Sequence, residues 1–280
     1  MKNTQLAGRK VPAMGIGTWY LGEGSPAQTE QEIASLRCGL DHGLSVIDTA
    51  EMYGDGAAET LVGDAIRGYN RDDLVVVSKF YPWHATAAKM KVALAGSLHR
   101  LGLDYLDLYL LHWRGSTPLR ETLAGMQALQ QAGLIRAFGV SNLDVADLKE
   151  LAALPGGDQI QANEVLYNLQ SRGIEYDLMP YQAKRGIGLI GYSPFGSGAG
   201  RSIRLPRQVQ EIARAKHLSD HQLVLAWTMR DHVLSIPKAA TPAHMTENLA
   251  ARDVTFTPDE LASIDRAFRR PTHKQPLEMI

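Results

Sequence analysis

Ile47-Asp48-Thr49-Ala50-Glu51-Met52-Tyr53-Gly54 follows directly on a short apolar run, Leu44 to Ile47, and sets a carboxylate, a phenol and a flexible glycine at its end. The run reads as a buried strand, and a strand that ends in Asp and opens into a polar loop has the form of a catalytic rim. Tyr53, five residues past Asp48, is placed to fold back over it. A free phenol has a pKa near 10, so it serves as an acid at neutral pH only where a nearby cation eases its ionisation. The chain should therefore supply a lysine close by.

The next apolar run, Leu74-Val75-Val76-Val77-Ser78, ends in Lys79, and the one after it, Leu106 to Leu111, ends in His112. Taken singly, these residues read more plainly as a turn aspartate, a surface cation and a satisfied core histidine. Three consecutive strand ends delivering Asp48, Lys79 and His112, with Tyr53 in the first loop, make a set that those separate readings do not explain.

Outward from this stretch, strand and helix patterns alternate. Strands are expected at 11–19, 44–48, 74–79, 105–111, 134–140, 158–163, 187–192 and 233–237. Helices are expected near 56–67, 86–101, 118–132, 144–153, 175–185, 206–231, 242–251 and 258–268, with another before Gly43. Eight short apolar strands joined through helices by short loops predict a closed parallel (β/α)8 TIM barrel of class α/β rather than an open sheet. No interior stretch resembles a linker, so residues 1–280 are expected to form one barrel domain. The polar tail from Arg270, ending Leu277-Glu278-Met279-Ile280, is expected to dock near the mouth.

Bulk properties narrow the partners. A formal charge of −1 supplies no field for nucleic acid or an anionic membrane, so a small molecule is the expected ligand. Cys38 is the single cysteine, which excludes an intramolecular disulfide, and no run is long enough to span a bilayer. A cytoplasmic protein, monomeric or weakly oligomeric, is the expectation. Metal is not expected: His217 and His221 have helical spacing, but Ser219 and Gln222 read as a helix start between them, and no third ligand is evident.

In a barrel the active site gathers at the C-terminal ends of the strands. Those ends carry Ser141-Asn142, Asn163-Glu164, Tyr192-Ser193-Pro194-Phe195-Gly196 and Pro237-Lys238. The seventh loop continues through Ser197 to Gly200 and Arg201, with Arg204 and Arg207 beyond. Its small residues and guanidinium groups suit an anion, and a flexible loop with solvated arginines stands beside that reading.

Asp-Thr-Ala-x-x-Tyr-Gly at 48–54, Ser78-Lys79, the run from Asp104 to Trp113, Gly139-Val140-Ser141-Asn142 and Ile236-Pro237-Lys238 occur in order, and over nearly the whole chain they resemble the aldo-keto reductase superfamily. Glu51-Met52-Tyr53 and Leu154 to Gly157 are similar to bacterial members described as methylglyoxal reductases. The resemblance implies an NADPH-preferring, metal-free reductase of small aldehydes and 2-oxoaldehydes. Tyr53 would be the acid, Lys79 and Asp48 its supports, and His112 would orient the carbonyl.

By the same resemblance, Ser141, Asn142 and Glu164 would hold the carboxamide and Tyr192 would stack on the nicotinamide. Ser193, Phe195, Gly196 and Ser197 would meet the pyrophosphate; Lys238, Ala239 and His244 the adenosine phosphate; and Glu247 and Asn248 the adenine. Trp19, Trp83 and Trp113 would wall a small carbonyl pocket. Three positions depart from the family pattern: Glu164 replaces Gln, Ala239 a hydroxyl and His244 an Arg. Without the bidentate fork of Arg at His244, the 2′-phosphate falls to Lys238 and to Arg201 or Arg204, and NADH becomes an alternative cofactor. A nicotinamide-sensing regulatory module and a diketo-sugar or ketose reductase are the competing functions.

Overall fold

The computed structural model describes residues 2–196 and 203–280. Its strands are β1 (Asn3–Leu6), β2 (Arg9–Pro12), β3 (Ile16–Gly17), β4 (Val46–Asp48), β5 (Val75–Phe80), β6 (Leu106–Leu111), β7 (Ile135–Ser141), β8 (Ala162–Leu166), β9 (Gly188–Tyr192) and β10 (Leu234–Ser235). The α-helices are α1 (Pro26–Asp41), α2 (Ala57–Ile66), α3 (Ala87–Leu101), α4 (Leu119–Gln131), α5 (Val145–Ala152), α6 (Leu178–Arg185), α7 (Arg207–Ala215), α8 (Asp220–Thr228), α9 (Pro242–Ala250) and α10 (Pro258–Ala267).

Strands β3 to β10 lie side by side in chain order, every pairing parallel. The two edges meet: Gly15 N donates to Ser235 O at 2.8 Å, Ser235 N to Ala13 O at 2.9 Å and Gly17 N to Pro237 O at 3.1 Å. These bonds close the sheet into the (β/α)8 barrel and remove its edges. The close approach needs glycine at position 17, since a Cβ there would stand 2.5 Å from Ile236 O.

The barrel strands are largely apolar because both faces are covered, and β5 and β6 are buried at every residue. One face packs on the helices. The other fills the barrel with Val46, Val75, Val77, Leu108, Leu110, Ala137, Ala162, Ile190, Leu234 and Ile236, and Leu6 and Val11 of the N-terminal hairpin join that cluster. Side chains alternate along a strand, so the inward position two residues beyond this plug is Asp48, Lys79, His112, Glu164, Tyr192 or Lys238, and Ser141 stands four beyond Ala137. A period of two thus converts an apolar floor into a polar ring at the strand ends.

Several boundaries differ from expectation. The stretch 11–19 is not one strand: Arg9–Pro12 pairs antiparallel with Asn3–Leu6 outside the barrel, and Ile16–Gly17 alone enters it. Pro12 and Gly15 break the run between them. The sixth barrel strand begins at Ala162 rather than 158, because Gly156 at φ +75° turns the chain and Gly157–Gln159 forms a single 3-10 turn. Asn163 and Glu164 consequently lie inside that strand, on opposite faces. The helical segments expected over 206–231 are two helices, α7 and α8, separated where His217 takes φ +56°. The helix expected over 175–185 starts at Leu178.

Candidate active site

Lys79 is the centre of the polar ring. It is fully buried, and its Nζ donates to both carboxylate oxygens of Asp48 at 2.7 Å, to Tyr53 Oη at 3.0 Å and to Thr49 O at 3.1 Å. Glu164 Oε1 stands 3.3 Å from the same nitrogen. The outward neighbours on the same elements lock this arrangement. Ser78 Oγ donates to Glu59 of α2 at 2.5 Å, and Glu59 is held in turn by Arg100 of α3.

Tyr53 reaches Lys79 because the chain reverses immediately after it. Gly54, Asp55 and Gly56 all have positive φ, so the loop turns within one short 3-10 segment before α2 begins. Glu51 ties this loop to the next one, accepting from Tyr81 N at 2.7 Å and contacting His84 Nδ1 at 2.8 Å. The Tyr53 and His112 rings meet edge to face with centroids 5.9 Å apart.

Burial and charge compete in this cluster, and the outcome differs by residue. For Tyr53, burial outweighs the pull of Lys79 and raises the phenol above its ordinary value. Lys79 does lower the cost of ionising the phenol, as expected, but burial costs more, so Tyr53 rests protonated. Burial pushes the Lys79 ammonium down, but Asp48, Glu164 and Tyr53 together raise it, so it stays charged. Burial, then the Lys79 charge, lowers His112 to about 3, making it a neutral imidazole at physiological pH.

Above the ring opens a cavity of about 550 Å³. Its lining includes Asp48, Tyr53, His112, Ser141, Asn142, Glu164, Tyr192, Ser193, Phe195, Gly196 and Lys238, together with Trp19 and Trp113. Tyr192 Oη donates to Asn142 Oδ1 at 2.8 Å, and Asn142 Nδ2 donates to Ser141 Oγ and His112 O, each at 3.1 Å. These bonds join the ends of three strands into one frame. Asn142 and Ser193 both adopt positive φ, which turns the chain sharply out of the barrel after β7 and β9.

Other expected site residues lie elsewhere. Trp83 is 55% exposed and does not line the cavity; it stacks on Tyr81 at 4.2 Å and meets Trp113 edge-on at 5.8 Å, so it backs the wall instead of forming it. Ala239 is buried, outside the lining, with its carbonyl accepting from Ser35 at 2.8 Å. His244 is exposed on the first turn of α9. Glu247 accepts from Ser219 Oγ at 3.0 Å, while Asn248 is buried with its Nδ2 unpartnered. Ser197 and Arg201 fall outside the described residues.

Ser219 forms a capping box with Gln222 between His217 and His221. The His221 ring stacks on Phe195 with centroids 3.5 Å apart, and burial lowers its basicity. Tyr20, Met52, Met279 and Ile280 also line the cavity. The residue types alone did not single these out, although the apolar end of the tail was a signal for the last two.

The cavity fits a nicotinamide nucleotide by the chemistry of its unpaired groups. Glu164 Oε2 is buried without a partner beside Ser141 and Asn142, which leaves hydrogen-bonding capacity where a carboxamide would need it. The flat Tyr192 ring adjoins them, and Lys238 supplies a cation farther out, 5.5 Å from the Tyr20 ring. Among the described residues there is no cluster of His, Cys, Asp or Glu able to hold a metal ion, and no helix is long and apolar enough to cross a membrane.

Comparison with known proteins agrees with this geometry. The profile of the Aldo/keto reductase family matches residues 13–269. The chain is 48% identical over 274 residues to methylglyoxal reductase YeaE of Escherichia coli K12, covering 96% of this chain and 95% of that protein. It superposes at a TM-score of 0.96 on the crystal structure of an aldo/keto reductase from Klebsiella pneumoniae in complex with NADP and acetate, with 47% identity over 100% of this chain and 99% of that one. A thermostable aldo-keto reductase bound to the inhibitor epalrestat gives a TM-score of 0.86 at 35% identity, covering 95% of this chain and 100% of that one.

Proposed function

The chain belongs to the aldo/keto reductase family, and from that premise we propose that it is an NADPH-preferring reductase of small aldehydes and 2-oxoaldehydes, methylglyoxal among them, with Tyr53 as the general acid. The observation that carries the reading is the contact of Lys79 Nζ with Tyr53 Oη at 3.0 Å and with both oxygens of Asp48 at 2.7 Å, on the floor of a cavity that also exposes His112. The E. coli relative's name supports the substrate class and the K. pneumoniae complex supports the cofactor.

Ser141, Asn142, Glu164 and Tyr192 would hold the nicotinamide end, and Lys238 the phosphate end, of a reduced nucleotide whose chemistry when bound is hydride donation to the carbonyl carbon. The protein's part is the oxygen. Neutral His112 donates an N–H to the carbonyl oxygen and orients it without adding a charge that Lys79 would oppose. As negative charge grows there, Tyr53 passes its proton across. The phenolate left behind faces the ammonium of Lys79, which Asp48 holds in place and keeps charged. Burial strengthens each of these interactions, because no water competes for the same atoms.

Trp19, Trp113 and Met52 give the carbonyl end of the cavity apolar walls, which favours a short aldehyde over a polyhydroxylated sugar. Consumption of reduced cofactor should be followed with methylglyoxal and with a ketose, using NADPH and NADH, for the wild type and Tyr53→Phe. NADPH-dependent turnover of methylglyoxal that falls by about two orders of magnitude or more in the variant is the expected result. A variant that keeps most of its turnover would overturn the role of Tyr53, and faster turnover of the ketose would overturn the substrate class.

A further inference from the structure

One buried lysine serves two buried carboxyl groups. Asp48 and Glu164 are each 1% exposed and Lys79 is not exposed at all. If both acids were ionised, the cluster would carry a net negative charge away from water, which is strongly unfavourable. The two acids are not equivalent. Asp48 places both oxygens 2.7 Å from the ammonium, so it gains most from being charged. Glu164 offers one oxygen at 3.3 Å, and Oε2 has no partner.

We infer that Glu164 holds a proton in the cofactor-free and reduced-cofactor states and releases it to solvent when the neighbouring nicotinamide becomes cationic, so that this carboxyl discriminates oxidised from reduced cofactor by pH. The inference rests on reading the cavity as a nicotinamide site. As a neutral acid, Glu164 matches the uncharged amide of the Gln that the family carries there. As a carboxylate, it places a negative charge in the cavity wall, where it favours a cationic ring over a neutral one.

The step balances. The Glu164 O–H bond breaks heterolytically, the electron pair stays on oxygen and the proton leaves, while the ring's gain of positive charge leaves the total in the site unchanged. Reduction consumes one proton at the carbonyl oxygen, supplied by Tyr53, and Glu164 returns one to the surroundings.

The groups facing Glu164 agree with this assignment. Asp48 on β4 raises it by repulsion, and Lys79 on β5 lowers it. Burial is the largest influence, and the balance lies well above the ordinary carboxylate range. Tyr53 and Tyr192 are neutral phenols, raised chiefly by burial, while His112 is neutral through burial and the Lys79 charge. Among the described residues, Asp48 and Lys79 are the charged groups that act most on it.

The test is binding, not turnover. Affinities for NADP+ and NADPH are measured by quenching of tryptophan fluorescence across a pH series, for the wild type and Glu164→Gln. The nucleotide phosphates are common to both ligands and cancel in the ratio. In the wild type the preference for NADP+ over NADPH should grow with pH by up to about tenfold per unit while Glu164 ionises, and in Glu164→Gln the ratio should be flat. An infrared band of a neutral carboxylic acid should be present in the cofactor-free wild type and disappear on saturation with NADP+.

A flat wild-type ratio, or an acid band that persists in Glu164→Gln and so belongs to Asp48, overturns the inference while leaving the reductase reading intact. Failure of either nucleotide to bind at any pH overturns both. Should Glu164→Gln not fold, the wild-type ratio and the wild-type band still decide.

Discussion

At the scale of single residues, burial prevails over charge at Tyr53, while charge prevails over burial at Lys79. Lys79 does not bring Tyr53 toward neutrality; the phenol loses more from leaving water than it gains from the ammonium. The same desolvation governs His112, whose ordinary value of 6.5 falls to about 3 in the folded chain. Unfolded, this histidine binds a proton below about 6.5, whereas folded it stays neutral almost to 3. Stability should therefore fall as pH drops through that window, by up to about 1.4 kcal/mol per unit from this group. Denaturant unfolding across the window should show a shallower pH slope for His112→Gln than for the wild type, and equal slopes would refute the assignment.

At the scale of elements, helix starts carry local signals, of which Ser219 with Gln222 was legible in the sequence. Ser25, Ser219, Thr241 and Thr257 each accept from the backbone of the first turn that follows, and three of the four complete a capping box. Strand ends were less legible where glycine and proline intervene. At 12–17 Pro12 and Gly15 cut one apparent strand in two, and at 155–157 a Pro-Gly-Gly turn delays β8. Position 17 shows what such a glycine does. A side chain there must displace the carbonyl of Ile236, which lies between Ser235 and Pro237, whose carbonyls pair the last barrel strand with the first. Gly17→Ala should lower stability by about 1–3 kcal/mol, read as a shifted denaturant midpoint at unchanged slope. An unshifted midpoint would mean the seam yields more easily than its spacing implies.

At the scale of the whole molecule, the tail closes one side of the cavity. Lys274 is anchored to Asp144 at 2.5 Å and to Asp177 at 3.0 Å, and this anchorage carries Met279 and Ile280 into the lining. The contact is made at the rim, since both residues remain about half exposed, at 50% and 53%. Removing residues 277–280 should leave the thermal transition nearly unchanged and raise KM for a short aldehyde several-fold more than it lowers kcat. An equal fall in kcat with KM unchanged would show that the tail positions Tyr192 and not the substrate.

The sequence by itself determined the barrel and its polar ring, because both follow from local rules. Apolar runs buried on two faces are recognisable without knowing their partners, and a period of two sets Asp48, Lys79, His112, Ser141 and Glu164 on the inward face above the apolar floor. Tertiary structure alone decided how these groups share charge. That Glu164 competes with Asp48 for one lysine depends on residues from β4, β5 and β8 meeting across the barrel. It also decided that Trp83 supports the wall from behind, and that Phe195 and His221, far apart in the chain, stack face to face. Distances between strands, and the water that burial excludes, are properties of the closed sheet and of no single segment.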